Sequence, residues 1–359
     1  MTLENARGES RKVFWTMLLA ACAGVASAWA DGSLADFPRL AGETDDAGRL
    51  QRAIDATPSG VLRIPGGEYA VASPVLVTNR CSLALEKTAR LRAIRKISFV
   101  LKVNNATTWV NSPQDDHGTF VTGGVIDGNG LASCLALDGF KHYTLRDTVF
   151  MNGAQYGLLL NSEAHGYELV AQNLYFKCNL SGLAGNTAVF SHGGDSHYTD
   201  LVVVDWTVGF HMRGGGSNRL TRCHVWGGMV GPAKPGEPPE MLKGSVNFRI
   251  EGAGAILRDC YADTGVVGYE ISGKDTRLLG CSYFSNPKFG LDGMTIVRHA
   301  SGRLLVSEGS FVKTAPRVKV YDGCGTVAWR DMMYWGFDES DDLPGALTFG
   351  MDRKSIPYD

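Results

Sequence analysis

A short strand pattern repeats along most of the chain, and this repeat restricts the fold more than any other feature. Each copy carries two apolar residues two positions apart, then glycine or a small polar turn, then further short strands. The copies start at Leu135, Leu158, Val189, Phe210, Phe248, Tyr269, Ile296 and Val318. The intervals between these starts are 23, 31, 21, 38, 21, 27 and 22 residues, so the period is 21–23 residues with insertions. Period-two strands at this spacing, with no helix between them, predict a coil of three short strands per turn, a parallel β-helix.

Two other folds fit the repeat less well. A leucine-rich repeat has a similar period, but it requires an L-x-x-L-x-L-x-x-N pattern that this sequence lacks. A sandwich or a barrel favours longer alternating strands joined by two-residue hairpins. The sequence therefore favours one long solenoid.

Cysteine recurs at matching points of three successive copies. It ends the segments Leu220–Cys223, Leu257–Cys260 and Leu278–Cys281. Because stacked turns place equivalent residues above one another, we expect an internal ladder in which the small thiol fits a narrow core. The other cysteines are too scattered for a disulfide framework, and the lack of a C-x-x-C motif argues against zinc.

Residues 1–30 are predicted to be a signal peptide. A basic pair at 11–12 precedes an apolar run at 13–26, and residues 28–30 supply an A-x-A cleavage site. The run is short for a membrane span, so an uncleaved anchor is the alternative. A bacterial lipobox pattern ends at Cys22, which would then be lipidated. We therefore expect a secreted, periplasmic or cell-surface protein, with a lipoprotein as one form of it.

The charge balance excludes some partners. The chain has 35 lysines and arginines against 37 aspartates and glutamates, which gives a formal net charge of −2. Because no basic stripe or tail is present, we expect no nucleic-acid partner and no membrane contact beyond a lipid anchor at Cys22. The sequence leaves the oligomeric state open.

The mature chain is predicted to have three parts. Residues 31–75 form an N-terminal cap module, in which an acidic segment at 43–46 leads into a short amphipathic helix near 49–54. Such a module would cover the end of a stacked core, which otherwise exposes apolar surface and strand edges. Residues 76–340 form the β-helix, and residues 341–359 form a C-terminal tail.

Two motifs resemble the pectate-lyase-like superfamily, in the branch related to polygalacturonases and phage tailspikes. The first joins G-E-T-D-D at residues 42–46 to V-L-R-I-P-G-G-E-Y at residues 61–69, and the second is G-G-V-I-D-G-N-G at residues 123–130. The resemblance implies an all-β, single-stranded right-handed parallel β-helix with a short N-terminal capping helix, and a preference for polysaccharides. It does not extend to the polygalacturonase catalytic pattern, because Ala188 stands where the aspartate of N-T-D would fall.

The repeat gives each strand of one sheet a central and a terminal residue that face outward. If the paired apolar residues point inward, the residue between them points outward. The central residues are Ala136, Leu159, Phe190, His211, Arg249, Glu270 and Val297. The terminal residues are Asp138, Asn161, His192, Arg213 and Glu251. The middle of this face is therefore predicted to be charged, and the ends of its central row apolar.

A linear polar face matches the shape of a sugar chain and carries groups for acid–base chemistry. Glycosidases use two carboxyls roughly 5–10 Å apart, and stacked strands lie about 4.8 Å apart, so Glu251 and Glu270 are within that range. We expect these two residues to be the catalytic pair. The predicted substrate-binding residues on the same face are His192, His211, Arg213 and Arg249.

Two further features border the predicted face. The 38-residue interval contains a proline-rich insertion from Trp226 to Gly244, and we expect Trp226 and Glu240 to contact substrate. Asp205 and Asp263 lie shortly before central strands and are further candidates for a catalytic acid. Capping a turn is the alternative role for both aspartates.

These residues favour a polysaccharide as partner and three alternative functions. The first is glycosidic hydrolysis, for which no metal or other cofactor is expected. The second is a uronate lyase on the same face, in which His211 or Arg249 would abstract a proton and Ca²⁺ would neutralise the uronate. The third is a non-catalytic polysaccharide-binding or surface structural protein, in which the charges form solvated cross-strand pairs.

Overall fold

A computed structural model of the protein describes residues 31–105, 118–161, 167–232, 234–286, 293–313, 317–338 and 343–345. These residues form three parallel sheets, and each sheet takes one strand from every successive turn of a single coil. The predicted all-β, right-handed parallel β-helix is therefore confirmed. The predicted signal peptide and Cys22 lie outside the described residues. Within the described ranges, no helix is long and apolar enough to cross a membrane.

The coil turns through sheets A, B and C in that order, and strands are numbered along the chain. Sheet A contains β1 Gly32–Ser33, β2 Val61–Ile64, β5 Ser82–Leu85, β8 Phe120–Thr122, β11 Thr144–Arg146, β14 Val170–Gln172, β17 His197–Thr199, β20 Arg219–Thr221, β23 Ile256–Arg258, β26 Thr276–Leu279, β29 Arg303–Ser307 and β32 Thr326–Arg330. Sheet B contains β3 Gly67–Val71, β6 Ala89–Ala93, β9 Val125–Asp127, β12 Val149–Met151, β15 Tyr175–Lys177, β18 Val202–Trp206, β21 His224–Gly227, β24 Tyr261–Asp263, β27 Ser282–Phe284, β30 Ser310–Val312 and β33 Met333–Trp335. Sheet C contains β4 Val75–Val77, β7 Phe99–Val103, β10 Ser133–Asp138, β13 Tyr156–Asn161, β16 Thr187–Ser191, β19 Val208–Met212, β22 Val246–Ile250, β25 Val267–Ile271, β28 Met294–His299 and β31 Val318–Gly323. The helices are α1 Ala47–Asp55 and two short 3₁₀ segments, Leu34–Asp36 and Glu240–Leu242.

Sheet C stacks in the predicted register from β10 to β25. The aligned interior residues are Leu135, Leu158, Val189, Phe210, Phe248 and Tyr269. The strand pairs therefore place the residue after each of these on the outer side of the sheet.

The predicted start of the next copy at Ile296 is wrong by one residue. Tyr269 pairs with Val297, and Glu270 pairs with Arg298. Ile296 falls at the place that Gly268 holds in β25, and both Ile296 and Val297 are fully buried. The outward residue after Glu270 is therefore Arg298 and not Val297. The last start, Val318, is displaced as well, because Tyr321 is the residue that pairs with Val297.

The interior is built from columns of like side chains. The rings of Phe210, Phe248 and Tyr269 stack with centroids 5.3 Å and 5.2 Å apart. In the neighbouring column, the thiol of Cys260 donates to the carbonyl of Leu220 one turn earlier, at 3.5 Å. The predicted internal ladder of Cys223, Cys260 and Cys281 is confirmed, since all three are buried and reduced.

The corner between sheets A and B carries one residue of left-handed backbone in successive turns. The φ angles are +55° at Asp147, +50° at Asn173, +58° at Asp200, +51° at Arg222 and +52° at Asp259. Aspartate and asparagine tolerate this conformation better than other residues with a Cβ. These corner residues bend the chain tightly enough for a sheet B strand to begin two residues later.

Helix α1 and the residues before it satisfy backbone groups at the first strand edges. The Gln51 side chain donates to the Leu76 carbonyl and accepts from the Leu76 N–H, both at 2.9 Å. Asp46 accepts from the Ala70 N–H at 2.8 Å and donates its own N–H to the Ala70 carbonyl at 2.7 Å. Because β3 and β4 are edge strands, these bonds replace a neighbouring strand. Strands β1, β2 and β3 already lie within the segment predicted as the cap module.

Candidate functional site

The outer side of sheet C, called the sheet C face below, carries a continuous row of side chains at the strand centres. After Lys102 on β7, the row changes from apolar to charged along the coil. In strand order it contains Leu76, Lys102, Ala136, Leu159, Phe190, His211, Arg249, Glu270, Arg298 and Asp322. Neighbouring members are separated by one strand spacing of about 4.8 Å. Four ionisable side chains from β19 to β28 therefore lie on adjacent strands.

His211 lies in the first of two ionic clusters on the sheet C face. Its Nε2 is 2.9 Å from Oε1 of Glu251, which projects from the end of the next strand. Arg213 approaches the other oxygen of the same carboxylate, with 3.8 Å between its Nε and Oε2. Burial lowers the pKa of His211 below its usual value, although Glu251 opposes this effect; Arg249 and Arg213 add to the lowering. The imidazole is therefore held in its neutral form more strongly than in water.

Glu270 is the centre of the second cluster. One carboxylate oxygen accepts from Nε of Arg249, and the other accepts from Nη1 of Arg298 at 3.2 Å. Arg298 also approaches Asp322, with 3.9 Å between Nε and Oδ2. Lys319 donates to Asp322 at 2.7 Å. The two clusters together extend over five strands, β19 to β31, and the central residues alternate in charge from Arg249 to Asp322.

Aromatic rings border the charged part of the face on the N-terminal side. The Phe190 ring packs edge-on against His211 and His192, with centroids 4.7 Å and 5.1 Å away. Tyr156 lies 5.2 Å from Phe190 on the preceding strand. Phe190 itself is only 7% exposed, so the accessible rings are those of Tyr156 and the two histidines. The face thus joins an aromatic patch to an ionic one at His211.

The two predicted catalytic glutamates lie on adjacent strands. Glu270 is opposite Arg249, and Glu251 follows Arg249 by two residues. One strand spacing and two residues along a strand place their Cα atoms about 8 Å apart. Each carboxylate lies against guanidinium or imidazole groups. That arrangement does not fit Ca²⁺, which requires six to eight oxygen ligands. Across the described ranges, no group of three or more His, Cys, Asp or Glu side chains is arranged to hold a metal ion.

Asp205 and Asp263, the two aspartates predicted as candidate catalytic acids, lie on sheet B and not on sheet C. Asp205 is buried at a bulge of β18, with φ of +63°, and pairs with Lys177. Its carboxylate also accepts from the Met229 N–H at 3.0 Å, so it anchors the base of the proline-rich insertion. Asp263 ends β24, accepts from the hydroxyl of Thr264 at 2.5 Å and approaches His224.

The two predicted substrate contacts of the insertion are separated. Trp226 lies in β21 between Val204 and Asp263, on the outer side of sheet B. Glu240 is exposed at the start of a short 3₁₀ segment. The next two residues, Met241 and Leu242, are fully buried and pack this segment against the core. The structure therefore brings together Glu251, Glu270 and the four predicted binding residues, but not Asp205, Asp263, Trp226 or Glu240.

Sequence reasoning missed Arg298 and Asp322. Both belong to the central row, and Arg298 contacts a predicted catalytic residue directly. The one-residue error at Ile296 hid Arg298, and the three-residue displacement of the last copy from Tyr321 to Val318 hid Asp322. The sequence carries no clear apolar pair around Arg298, because the buried residue that follows it is His299 and not an apolar residue like Val297.

Solved structures share this fold at low sequence identity. ORF18 of Geobacillus virus E2 has a TM-score of 0.59 and 16% identity, over 86% of this chain and 62% of its own. The A-module of the mannuronan C-5 epimerase AlgE4 from Azotobacter vinelandii has a TM-score of 0.53 and 13% identity, over 88% of this chain and 100% of its own. The endo-xylogalacturonan hydrolase from Aspergillus tubingensis has a TM-score of 0.51 and 13% identity, over 85% of this chain and 93% of its own. No protein-family model and no curated protein sequence matches the chain.

These likenesses define the class of protein. The chain is a right-handed parallel β-helix protein, and the predicted resemblance to pectate-lyase-like proteins is confirmed at the level of the fold. The chain spans less than two thirds of the viral protein's length. At 13–16% identity the shared feature is the coil itself, not the side chains on it.

Proposed function

We propose that the protein binds an acidic polysaccharide along the sheet C face and cleaves it by glycosidic hydrolysis. The observation that carries this proposal is the row from His211 to Arg298, which places imidazole, guanidinium and carboxylate groups on four adjacent strands. A row of this kind matches a linear chain of sugars in shape. Two proteins with the same fold are named for an epimerase that acts on mannuronan and a hydrolase that acts on xylogalacturonan, which supports this class of ligand.

Arginine side chains supply the recognition of acidic sugars in this proposal. Arg213 and Arg298 are 59% and 43% exposed, so their guanidinium groups are accessible from solvent. A guanidinium group presents paired N–H donors that match a carboxylate. A uronate bound on this face would compete with Glu251 and Glu270 for these donors.

The two glutamates supply the chemistry of hydrolysis. One carboxyl must protonate the glycosidic oxygen while the other activates water or attacks the sugar. The separation of about 8 Å between the Cα atoms of Glu251 and Glu270 is compatible with this division of roles. A uronate that displaces arginine from one glutamate would leave that carboxyl able to take a proton.

The state of His211 favours a second candidate, cleavage by β-elimination. Elimination needs a base for the proton next to the uronate carboxylate and a cation that stabilises the charge formed there. His211 is half-buried with a lowered pKa, and Arg213 and Arg249 are adjacent. A neutral imidazole oriented by Glu251 can act as that base, and once protonated it can give the proton to the departing glycosidic oxygen as the C–O bond breaks and the C=C bond forms.

The test is incubation of the chain from Asp31 onward with plant, algal and bacterial polysaccharides. Reducing ends and the absorbance of unsaturated uronates are measured together. Reducing ends alone indicate hydrolysis, and both signals together indicate elimination. Retained binding without either signal across the panel would exclude both enzymatic functions, and absence of binding as well would refute the proposal.

A pair of matched variants tests whether the activity lies on the sheet C face. Glu270→Gln should lower turnover by about 10²–10⁴, the usual contribution of a general acid or base. Glu68→Gln is the control, because Glu68 also pairs with an arginine, Arg92, but on sheet B. Full activity of the Glu270 variant would remove Glu270 from the mechanism.

Export of the protein is a further part of the proposal. The basic pair, apolar run and A-x-A site of residues 1–30 support cleavage before Asp31, and the lipobox supports lipidation of Cys22 instead. Mass spectrometry of the protein from a bacterial host distinguishes the two. An N-terminus at Asp31 indicates secretion, and a lipid-modified N-terminal cysteine indicates an anchored lipoprotein.

A further inference from the structure

A second site lies around the corner from the sheet C face, on the outer side of sheet A. It is an open depression of about 440 Å³ that spans the turns entering β11, β14, β17 and β20. This volume is within the range of small-molecule sites. The depression is lined by the polar residues His142, Glu168, Asp195, His197, Ser217 and Arg219 and by the apolar Val170.

The wall of the depression is a ladder of four corner residues with left-handed backbone. The φ angles of His142, Glu168, Asp195 and Ser217 are +56°, +60°, +52° and +61°. Each donates its N–H to a carbonyl one turn further on, at 2.9–3.3 Å. The four side chains are therefore projected from a hydrogen-bonded backbone at the strand spacing, and the site is formed before any ligand arrives.

A buried polar network beneath the corner holds it in place. The Asn218 side chain donates to the Gly193 carbonyl at 3.0 Å and accepts from the Ser196 N–H at 3.2 Å. The Ser196 hydroxyl accepts from the Leu169 N–H and donates to the Gly194 carbonyl. Ser196 and Asn218 are 0% and 2% exposed, so the coil carries buried polar side chains where apolar ones fill most of the interior. This network fixes the spacing of Asp195 and the residues around it.

The side chains available to a ligand are Asp195, Ser217 and Arg219. Of the other three polar residues in the lining, Glu168 already pairs with His142, whose Nε2 is 2.6 Å from its carboxylate. The third, His197, lies between Val170 and Arg219 in sheet A. Asp195 and Arg219 are exposed and make no ion pair within the part of the chain that the structure describes. Asp195, Ser217 and Arg219 thus present a carboxylate, a hydroxyl and a guanidinium group across neighbouring turns.

We propose that this depression binds a neutral saccharide, as a second carbohydrate site independent of the sheet C face. Adjacent sugar hydroxyls can donate to the Asp195 carboxylate and accept from Arg219, and Val170, 43% exposed, offers an apolar contact for the C–H side of the ring. With its histidines neutral, the lining holds two carboxylates and one guanidinium group, so it has no excess of positive charge to attract an anionic ligand. A metal ion does not fit either, because no metal-binding group of side chains is present among the described residues.

Ligand-observed NMR on the chain from Asp31 onward tests the proposal. The probes are glucose, galactose, mannose, rhamnose and N-acetylglucosamine, with glucuronate as the charged comparison, each titrated at millimolar concentration. Asp195→Ala and Arg219→Ala should each weaken binding of a neutral sugar about tenfold or more, because each removes hydrogen bonds to a charged group. Circular dichroism checks that both variants keep the β-helix.

Two control variants separate this site from the proposed function. Arg277→Ala removes an exposed arginine from the same row of sheet A two strands away, and it should leave binding unchanged. His211→Ala alters the sheet C face and should leave monosaccharide binding unchanged even if polysaccharide cleavage is lost. The proposal is overturned by absence of neutral-sugar binding, by preference for glucuronate, by binding that survives both Asp195→Ala and Arg219→Ala, or by binding that is lost in His211→Ala.

Discussion

Phe248 is the middle ring of an interior column, and its truncation to alanine tests how that column contributes to the coil. The rings of Phe210 and Tyr269 lie above and below it, with centroids 5.3 Å and 5.2 Å away and interplanar angles of 6° and 9°. All three side chains are fully buried. Phe248→Ala therefore removes a ring that has stacked partners on both sides.

The expected loss of unfolding free energy is about 4–5 kcal/mol. Truncation of a buried phenylalanine costs about 3–5 kcal/mol, because apolar contact is lost and a cavity remains. The neighbouring strands are held at a fixed spacing by backbone hydrogen bonds, so the cavity left by Phe248 cannot close easily. The cost should therefore lie at the upper end of that range.

Urea unfolding followed by tryptophan fluorescence measures the loss, with Tyr175→Ala as the control. Tyr175 lies on the outer side of sheet B and is 39% exposed, so its truncation should change stability by less than about 0.5 kcal/mol. A loss below about 1.5 kcal/mol for Phe248→Ala, or equal losses in the two variants, would refute the packing described for the column.

A double-mutant cycle sharpens the test, because stacking acts only between adjacent turns. Phe210→Leu and Phe248→Leu should show a coupling of about 0.5–1.5 kcal/mol, the usual contribution of an aromatic pair. Phe210→Leu and Tyr269→Leu should add within about 0.5 kcal/mol, since two strand spacings of about 4.8 Å separate them. Equal coupling free energies in both cycles would show that the coupling does not arise from contact between adjacent rings.

Four further predictions concern charge and thiol chemistry. His211 should titrate below its usual pKa of 6.5 by NMR, chiefly because of burial, and Glu251→Gln should lower that pKa further because it removes an opposing effect. Since the folded pKa of His211 is below the unfolded one, its contribution to stability is complete above pH 6.5 and is lost as the pH falls through the folded pKa; His211→Gln should flatten that part of a pH–stability curve. Cys324 is exposed and the other six described cysteines are buried, so a thiol reagent should label one site in the folded chain from Asp31 onward, and Cys324→Ser should abolish that labelling. Binding of an acidic polysaccharide should weaken as salt is added, and an affinity independent of ionic strength would contradict recognition by arginine.

The fold could be predicted because the coil imposes two periods on the sequence at once. Within a strand, apolar residues two apart mark the interior, and between turns the same pattern returns after 21–23 residues. The register failed at Ile296 because two large apolar residues, Ile296 and Val297, are adjacent in this strand, whereas β25 has Gly268 before Tyr269 at the same places. The space that the neighbouring turn leaves decides whether glycine or isoleucine fits at this place. A pattern of apolar residues carries no information about that space.

The candidate site could be predicted only in part, because register fixes neighbours along a row but not contacts made diagonally. The alignment of His211, Arg249 and Glu270 follows from the repeat. The contact between His211 and Glu251 joins residues 40 positions apart across an insertion and depends on side-chain conformation. The depression around Asp195 was missed for another reason: its residues lie at corner positions, where length varies and the strand period gives no guide.

A comparison along the same row of sheet C shows that the fold does not require its charges. Ala136 and Leu159 occupy the same structural place as Arg249 and Glu270, and the backbone pairing around them is equivalent. Partly exposed ion pairs contribute about 0–1 kcal/mol, far less than one ring of the Phe210–Phe248–Tyr269 column. The coil would therefore lose little stability if the middle of the row were apolar or neutral. Because the interior columns supply the stability, the fold does not require the charges from His211 to Arg298, and the recognition and catalysis that we propose for the sheet C face would give them a role.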